Sequence, residues 1–272
     1  MVCGRGRGAG SLGGMDREVL RYYERGEEDR RLREGDGRLE LWRTQDVLRR
    51  VLPAPPARVV DVGGGPGVHA EWLAADGHAV ELVDPVPLHV EQASRIPGVA
   101  ARLGDARDLP VPDASADAVL LLGPLYHLLD RADRVRALRE AARAVRPGGV
   151  VAAATIGRHA ALHDMLRRRR YRDKRAIVDA SVETGVLRAT PDMGFTTAYL
   201  HGADEPPREF ADAGLPGARS YGLEGAVWMF GDLEELLEED REAVLDALRA
   251  VESAPSLLGV SAHVITAATR PR

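Results

Sequence analysis

Between residues 58 and 155 short apolar runs alternate with longer stretches in which apolar positions recur every three or four residues. The short runs, 59–62, 79–83, 100–103, 118–122 and 150–155, are nearly continuous in Val, Leu and Ala. That pattern predicts strands buried on both faces. The longer stretches, 68–76, 87–94 and 131–145, carry helical spacing, and Arg146-Pro147-Gly148-Gly149 supplies the proline and glycine that stop the last of them. Strand and helix in turn predict an α/β fold with a parallel sheet and helices on both faces.

The flanks read differently. Residues 1–14 are rich in Gly and Arg and lack the apolar core of a secretory signal, so they are expected to be a disordered leader. Residues 15–52 are densely charged, with Leu39, Leu41, Trp42, Val47, Leu48 and Val51 at helical spacing and breaks at Gly26 and at 35–37. They predict an N-terminal cap of short helices that ends at Pro53-Ala54-Pro55-Pro56. Residues 53–272 then form the main domain, with a basic, partly helical insertion at about 160–200. Beyond it come a helix at 205–213, a strand-rich stretch at 218–230, an acidic helix at 232–251 and a final strand at 262–268.

Composition narrows the class. With 44% hydrophobic and 29% charged residues the chain has the balance of an ordinary globular domain. A net charge of -5 gives no general attraction for polyanions, so nucleic acid is not the expected partner. No run reaches the roughly 20 apolar residues of a membrane helix. The single cysteine, Cys3, has no partner for an internal disulfide, and no Cys/His/Asp cluster has metal-ligand spacing. A cytoplasmic monomer or homodimer without a metal is expected.

The chemistry concentrates where the first strand ends. Asp61-Val62-Gly63-Gly64-Gly65-Pro66-Gly67 runs from strand into helix. Glycines there let a ligand approach the main chain, and the helix start offers free N–H groups and positive dipole. Asp84 closes the second strand 23 residues after Asp61, where a carboxylate can accept ribose hydroxyls. Asp105 follows the third strand and can reach an adenine amino group. All three acids lie at carboxyl ends of strands, the edge where open α/β sheets bind ligands. An NAD(P) oxidoreductase is the competing reading, but a dinucleotide fingerprint needs a third glycine at position 68, which is Val68.

Taken together, 60–67, Val83-Asp84-Pro85, the 104–110 segment and 138–149 resemble the successive motifs of class I S-adenosylmethionine (SAM) dependent methyltransferases, over about 100 residues and in the family's order. The nearest variety is the small-molecule branch of quinone-biosynthesis and natural-product enzymes. The resemblance implies a Rossmann-like seven-stranded sheet ordered 3-2-1-4-5-7-6 with strand 7 antiparallel. It implies that Asp61 with Gly63, Gly65 and Gly67 holds the methionine part of SAM, that Asp84 binds ribose, and that Asp105 and Ala106 flank adenine. Tyr22, Tyr23 and Arg43 in the cap become candidates for the cofactor carboxylate or the substrate entrance. A protein that holds SAM without catalysis stays open as a third reading.

For methyl transfer the fourth strand leads into Leu122-Gly123-Pro124-Leu125-Tyr126-His127, which puts Tyr126 and His127 beside the expected methyl. His127 is the candidate base or substrate orienter. The segment lacks the Asn or Asp followed by Pro-Pro and an aromatic residue that is common in enzymes methylating the exocyclic amines of bases. Candidate substrate liners are Tyr22, Tyr126, His163, Met165, Phe195, Tyr199, His201, Glu224 and Trp228. The acceptor, whether oxygen, nitrogen, carbon or sulfur, is not specified.

Overall fold

The computed structural model describes residues 28–35 and 37–272. The leader, Cys3, Tyr22 and Tyr23 lie outside the described residues.

Two short helices, α1 (Glu28–Arg33) and α2 (Gly37–Val51), precede the sheet. Strands β1 (Arg58–Val62), β2 (Ala79–Asp84), β3 (Val99–Leu103) and β4 (Ala116–Leu121) are joined through α3 (Val68–Ala75) and α4 (Pro87–Ala93). After β4 come a one-turn helix, α5 (Pro124–His127), then α6 (Arg131–Ala144) and the long β5 (Val145–Gly157). Residues 160–201 form α7 (Ala160–Arg167), α8 (Tyr171–Thr184), β6 (Val186–Leu187) and β7 (Ala198–His201). The chain closes with α9 (Glu205–Asp212), β8 (Arg219–Gly222), α10 (Leu233–Val251), α11 (Pro255–Leu258) and β9 (His263–Thr269).

The main sheet runs β3-β2-β1-β4-β5-β9-β8, with β9 antiparallel to both neighbours. This is the order 3-2-1-4-5-7-6 expected for the family. Its residues alternate between two cores as a pleated strand requires. Val60, Val62, Val119, Leu121, Val151 and Ala153 pack toward α6 and α9. Val59, Ala118, Leu120, Ala152 and Ala154 pack with Val47 and Leu48 of α2 and Leu73 of α3 on the other face. α6 starts cleanly because the Asp130 side chain accepts from the Ala132 N–H at 2.9 Å.

Two expectations need correction. The stretch 218–230 is strand only over β8, followed by a 3-10 turn at Val227–Met229. The Glu224 and Gly225 N–H groups turn away from the sheet and donate to the Ser261 hydroxyl at 3.1 and 3.2 Å. Residues 160–201 are more than helix and loop, since β7 pairs parallel with Ile156 and Gly157 at the tip of β5. β9 already occupies the other edge of β5 through Ile156, so β7 takes the edge that β4 leaves after Leu121. That one pairing seats the whole segment over the carboxyl end of the sheet.

Candidate active site

The turn after β1 is held from below and from the side. Gly63 donates to the Val83 carbonyl at 2.7 Å, and its φ of 66° lies in the left-handed region. A Cβ there would stand 2.6 Å from the Pro124 ring, so only glycine lets β1 and α5 approach this closely. Gly65 donates to Asp84 Oδ2 at 2.9 Å, and the Val86 N–H donates to Asp84 Oδ1 at 2.9 Å. His89 Nδ1 lies 3.1 Å from the same Oδ1. Asp84 therefore ties the glycine turn to the end of β2 while still lining the cleft above.

Asp61 stands behind that wall. It is fully buried, neither carboxyl oxygen has a hydrogen-bond partner among the described residues, and a Cβ on Gly64 would lie 2.5 Å from its Oδ2. Burial, and then the charge of Asp84, push its pKa up to about 7. Such an orphaned carboxyl is poised to be satisfied by a cation brought to the turn.

Asp105 and Ala106 form the next part of the wall. Arg107 folds back on Asp105, its backbone N–H and Nε donating to Oδ1 at 2.8 and 2.9 Å and Nη2 to Oδ2 at 2.6 Å. Burial alone would raise the Asp105 pKa, but the Arg107 hydrogen bonds outweigh it and hold the carboxyl below its usual value. Arg107 also reaches Asp133 of α6 at 2.8 Å, which fixes the clamp.

Gly63–Gly65, Asp84, Asp105, Ala106, Tyr126 and His127 line one cleft, whereas Asp61 lies behind its wall and Gly67, expected with the turn, packs against Ile96 and is not among the lining residues. The His127 ring lies 4.6 Å from that of Tyr126 and 6.2 Å from that of Phe195. Burial lowers the His127 pKa to about 4, with a hydrogen bond to the Thr197 backbone opposing it, so the imidazole is neutral at physiological pH.

A second chamber adjoins the cleft and shares Arg31, Glu40 and Tyr126 with it. Its walls are largely apolar and aromatic: Ile156, Met165, Leu187, Met193, Phe195, Leu200 and Trp228. Met165, Leu187, Met193, Ile156, Leu200 and Tyr126 also share one small core, so the chamber is packed from the 160–201 segment. Of the polar group at the junction, sequence reasoning named Glu224 and missed Arg31, Glu40 and His263. Arg31 donates to both Glu40 oxygens at 2.7 and 3.2 Å, and His263 Nδ1 lies 2.6 Å from Glu224 Oε1 and 3.7 Å from Glu40 Oε2. A signal did exist. In an antiparallel last strand the first residue, here His263, falls on the same sheet edge as the ends of β1, β2 and β4.

Other candidates stand elsewhere. Arg43 was expected at the cofactor, but its guanidinium is fully buried and consumed by Glu252 Oε2 at 2.6 Å, the Leu223 carbonyl at 3.0 Å and Asp46. It is not part of the cleft wall. His201 was expected at the substrate and is instead buried beside Glu209, 3.6 Å away, and against the Tyr199 ring. Neither cleft nor chamber includes His201, Tyr199 or His163. Glu209 is further held by Arg134 at 2.9 Å, which makes this a packing cluster between α6 and α9. Trp228 does line the chamber, with Nε1 donating to the Val260 carbonyl at 2.9 Å.

A family profile described as a methyltransferase domain matches residues 60–153, which include the glycine turn and all three acids. That segment of the chain resembles a methyltransferase domain. Over 106 residues it is 43% identical to an uncharacterized methyltransferase of Mycobacterium bovis, covering 38% of this chain and 42% of that protein. It is 32% identical over 117 residues to a ubiquinone/menaquinone biosynthesis C-methyltransferase of Acidiphilium cryptum, covering 40% and 45% respectively. The likeness thus spans less than half the length of these curated relatives and centres on the methyltransferase domain. Among solved structures, a SAM-dependent methyltransferase of Methanosarcina mazei shares the fold, with a TM-score of 0.56 and 20% identity over 83% of this chain and 97% of that one.

Proposed function

We propose that this chain transfers a methyl group from SAM, held in the cleft, to a small-molecule acceptor held in the chamber. One observation carries the reading: a cleft built on the glycine turn and the acids at two successive strand ends opens beside an apolar, aromatic chamber, and the two meet at Tyr126, Arg31 and Glu40. The residues suit the cofactor. The turn exposes main chain where side chains are excluded, and the unpartnered Asp61 carboxyl together with Asp84 favours a ligand with cationic centres. Asp61 and the 63–67 turn would hold the methionine part, Asp84 the ribose, and Asp105 with Ala106 the adenine.

When bound, SAM supplies an electrophilic methyl, so the protein's task is to align a nucleophile and exclude water. Tyr126 and His127 stand where the cleft leads to the chamber. A general base works best with a pKa near the operating pH. His127, held near 4, therefore fits an orienting hydrogen-bond partner better than a base. The size and apolar lining of the chamber, and the quinone-pathway relative, support a small organic acceptor.

Calorimetry with SAM, S-adenosylhomocysteine and NADPH tests the reading. Binding of the first two and not the third is expected. NADPH binding without any response to SAM would sink it. SAM binding with no transfer to any member of a phenol, amine, thiol and carbonyl panel would favour a non-catalytic SAM-binding protein.

A further inference from the structure

The chamber, beside its junction with the cleft, holds a polar atom with no partner among the described residues. His263 opens β9, and its backbone N–H donates to Glu224 Oε2 at 2.9 Å while its Nδ1 sits 2.6 Å from Glu224 Oε1. Glu224 is itself buried and fixed by the Ser261 hydroxyl at 2.9 Å, so the ring is clamped at two points. Glu40 of α2 faces the same nitrogen at 3.7 Å, and Arg31 of α1 closes the set by binding Glu40. Two carboxylates facing Nδ1 fix a proton there. Nε2 makes no hydrogen bond or ion pair with any described residue, and the side chain remains 21% exposed where it lines the chamber.

The charges that face His263 are Glu40, Glu224 and, behind Glu40, Arg31; His69 of α3 lies near Glu40 and is neutral, since burial lowers its pKa to about 4. Burial works against a charged imidazole here, but Glu40 and Glu224 outweigh it and hold the pKa up to about 9. Arg31, Glu40, Glu224 and His263 sum to zero charge, so the quartet is self-consistent without a ligand while presenting an N–H of a cation to the chamber.

We infer that His263 receives the acceptor, donating a hydrogen bond from Nε2 to an oxygen that bears the negative charge of a phenolate, enolate or carboxylate on an otherwise apolar molecule. This rests on the methyltransferase reading and names the acceptor class for it. An acceptor that arrives as an anion needs no base. Its lone pair forms the bond to the methyl carbon, the carbon–sulfur bond breaks with its pair left on sulfur, and sulfonium plus anion become a neutral thioether and a neutral product. No proton changes hands, which agrees with a neutral His127 beside the reacting methyl.

The test uses the full chain, with 4-nitrophenolate as the anionic probe and nitrobenzene as its neutral counterpart, each with and without saturating S-adenosylhomocysteine. Wild type should prefer the phenolate by at least about tenfold, since hydrogen bonds to ions are the strong ones. His263→Asn places its amide near the former Nδ1, keeping Glu224 engaged and removing the Nε2 donor. It should lose the preference while S-adenosylhomocysteine affinity stays within about twofold. An undiminished preference in the variant, or none in wild type, would overturn the inference. So would a preference that a chelator abolishes and zinc or magnesium restores, because the quartet would then be a metal site. If His263→Asn does not fold, the imidazole nitrogen signals of wild type decide: the His263 Nε2 resonance must move on phenolate binding, and an unmoved signal refutes the contact. The two readings fail separately. A His263-dependent preference in a protein that binds no S-adenosylhomocysteine removes the methyltransferase reading and leaves the oxyanion site standing.

Discussion

The cofactor cleft and the acceptor chamber are built in opposite ways. The cleft draws most of its wall from the ends of β1, β2 and β4 and the start of the 105–107 loop, within one run of alternating strands and helices, and adds Arg31, Leu32 and Glu40 from the N-terminal helices. The chamber collects Arg31 and Glu40 from the N-terminal helices, Met165 and Phe195 from the 160–201 segment, and Glu224, Trp228 and His263 from the C-terminal third. The donor side is mostly local in sequence and the acceptor side is not. Substitutions should therefore separate the two, save along the seam that joins them.

The largest effect should come from outside both, at the buried tie between α2 and the C-terminal half. Arg43→Ala takes one of two cations from the buried Glu252, leaving Arg50 at 2.6 Å, and strips the Leu223 carbonyl of its donor. Burial raises the Glu252 pKa while Arg50 and Arg43 together bring it below its usual value. Loss of about 3–5 kcal/mol of unfolding free energy is expected from denaturant melts. A loss under about 1 kcal/mol would show that cap and C-terminal half are held by apolar contact alone.

Next comes the cleft. Asp84→Ala strips partners from the Gly65 and Val86 N–H groups and should weaken S-adenosylhomocysteine by about 100-fold in calorimetry. Binding of the phenolate probe to the chamber should be unaltered, and a parallel loss of both would collapse the distinction drawn here.

Asp61 adds a pH dependence confined to the cleft. Its folded pKa is raised, so in the free protein this group costs stability as pH climbs from its unfolded value near 4 to about 7. A cationic ligand favours the ionised form and draws a proton off. Cofactor affinity should then rise with pH up to about 7, by at most about tenfold per unit, and level off above. Calorimetry in buffers of different ionisation enthalpy would count the released proton, and Asp61→Asn should flatten the curve. Smallest is Phe195→Ala, expected to raise the acceptor KM by about fivefold with cofactor affinity unchanged.

The same locality decided what could be read beforehand. The Asp61 turn, Asp84 and Asp105 were legible because period and spacing place them at strand ends on one sheet edge. The sheet order followed from the family resemblance. Arg43 was misplaced because a lone helix position carries no sign of the C-terminal carboxylate, 209 residues away, that claims it. His201 was misjudged for the same reason: Glu209 and Arg134 bury it on the far side of β7. The strands β6 and β7, of two and four residues, are too short to show alternation, yet they set the roof of the chamber.

The buried tie between α2 and the C-terminal half has a kinetic consequence. α2, pinned near its centre by Arg43 to Glu252 and packed through Leu39 on Leu233 and Leu237, parts from the C-terminal half only by breaking a buried ion pair, so opening there is slow. The 160–201 segment reaches β5 through two residue pairs of β7 and a small apolar core, without a buried ion pair of that kind to the sheet among the described residues, and so opens at the lower cost.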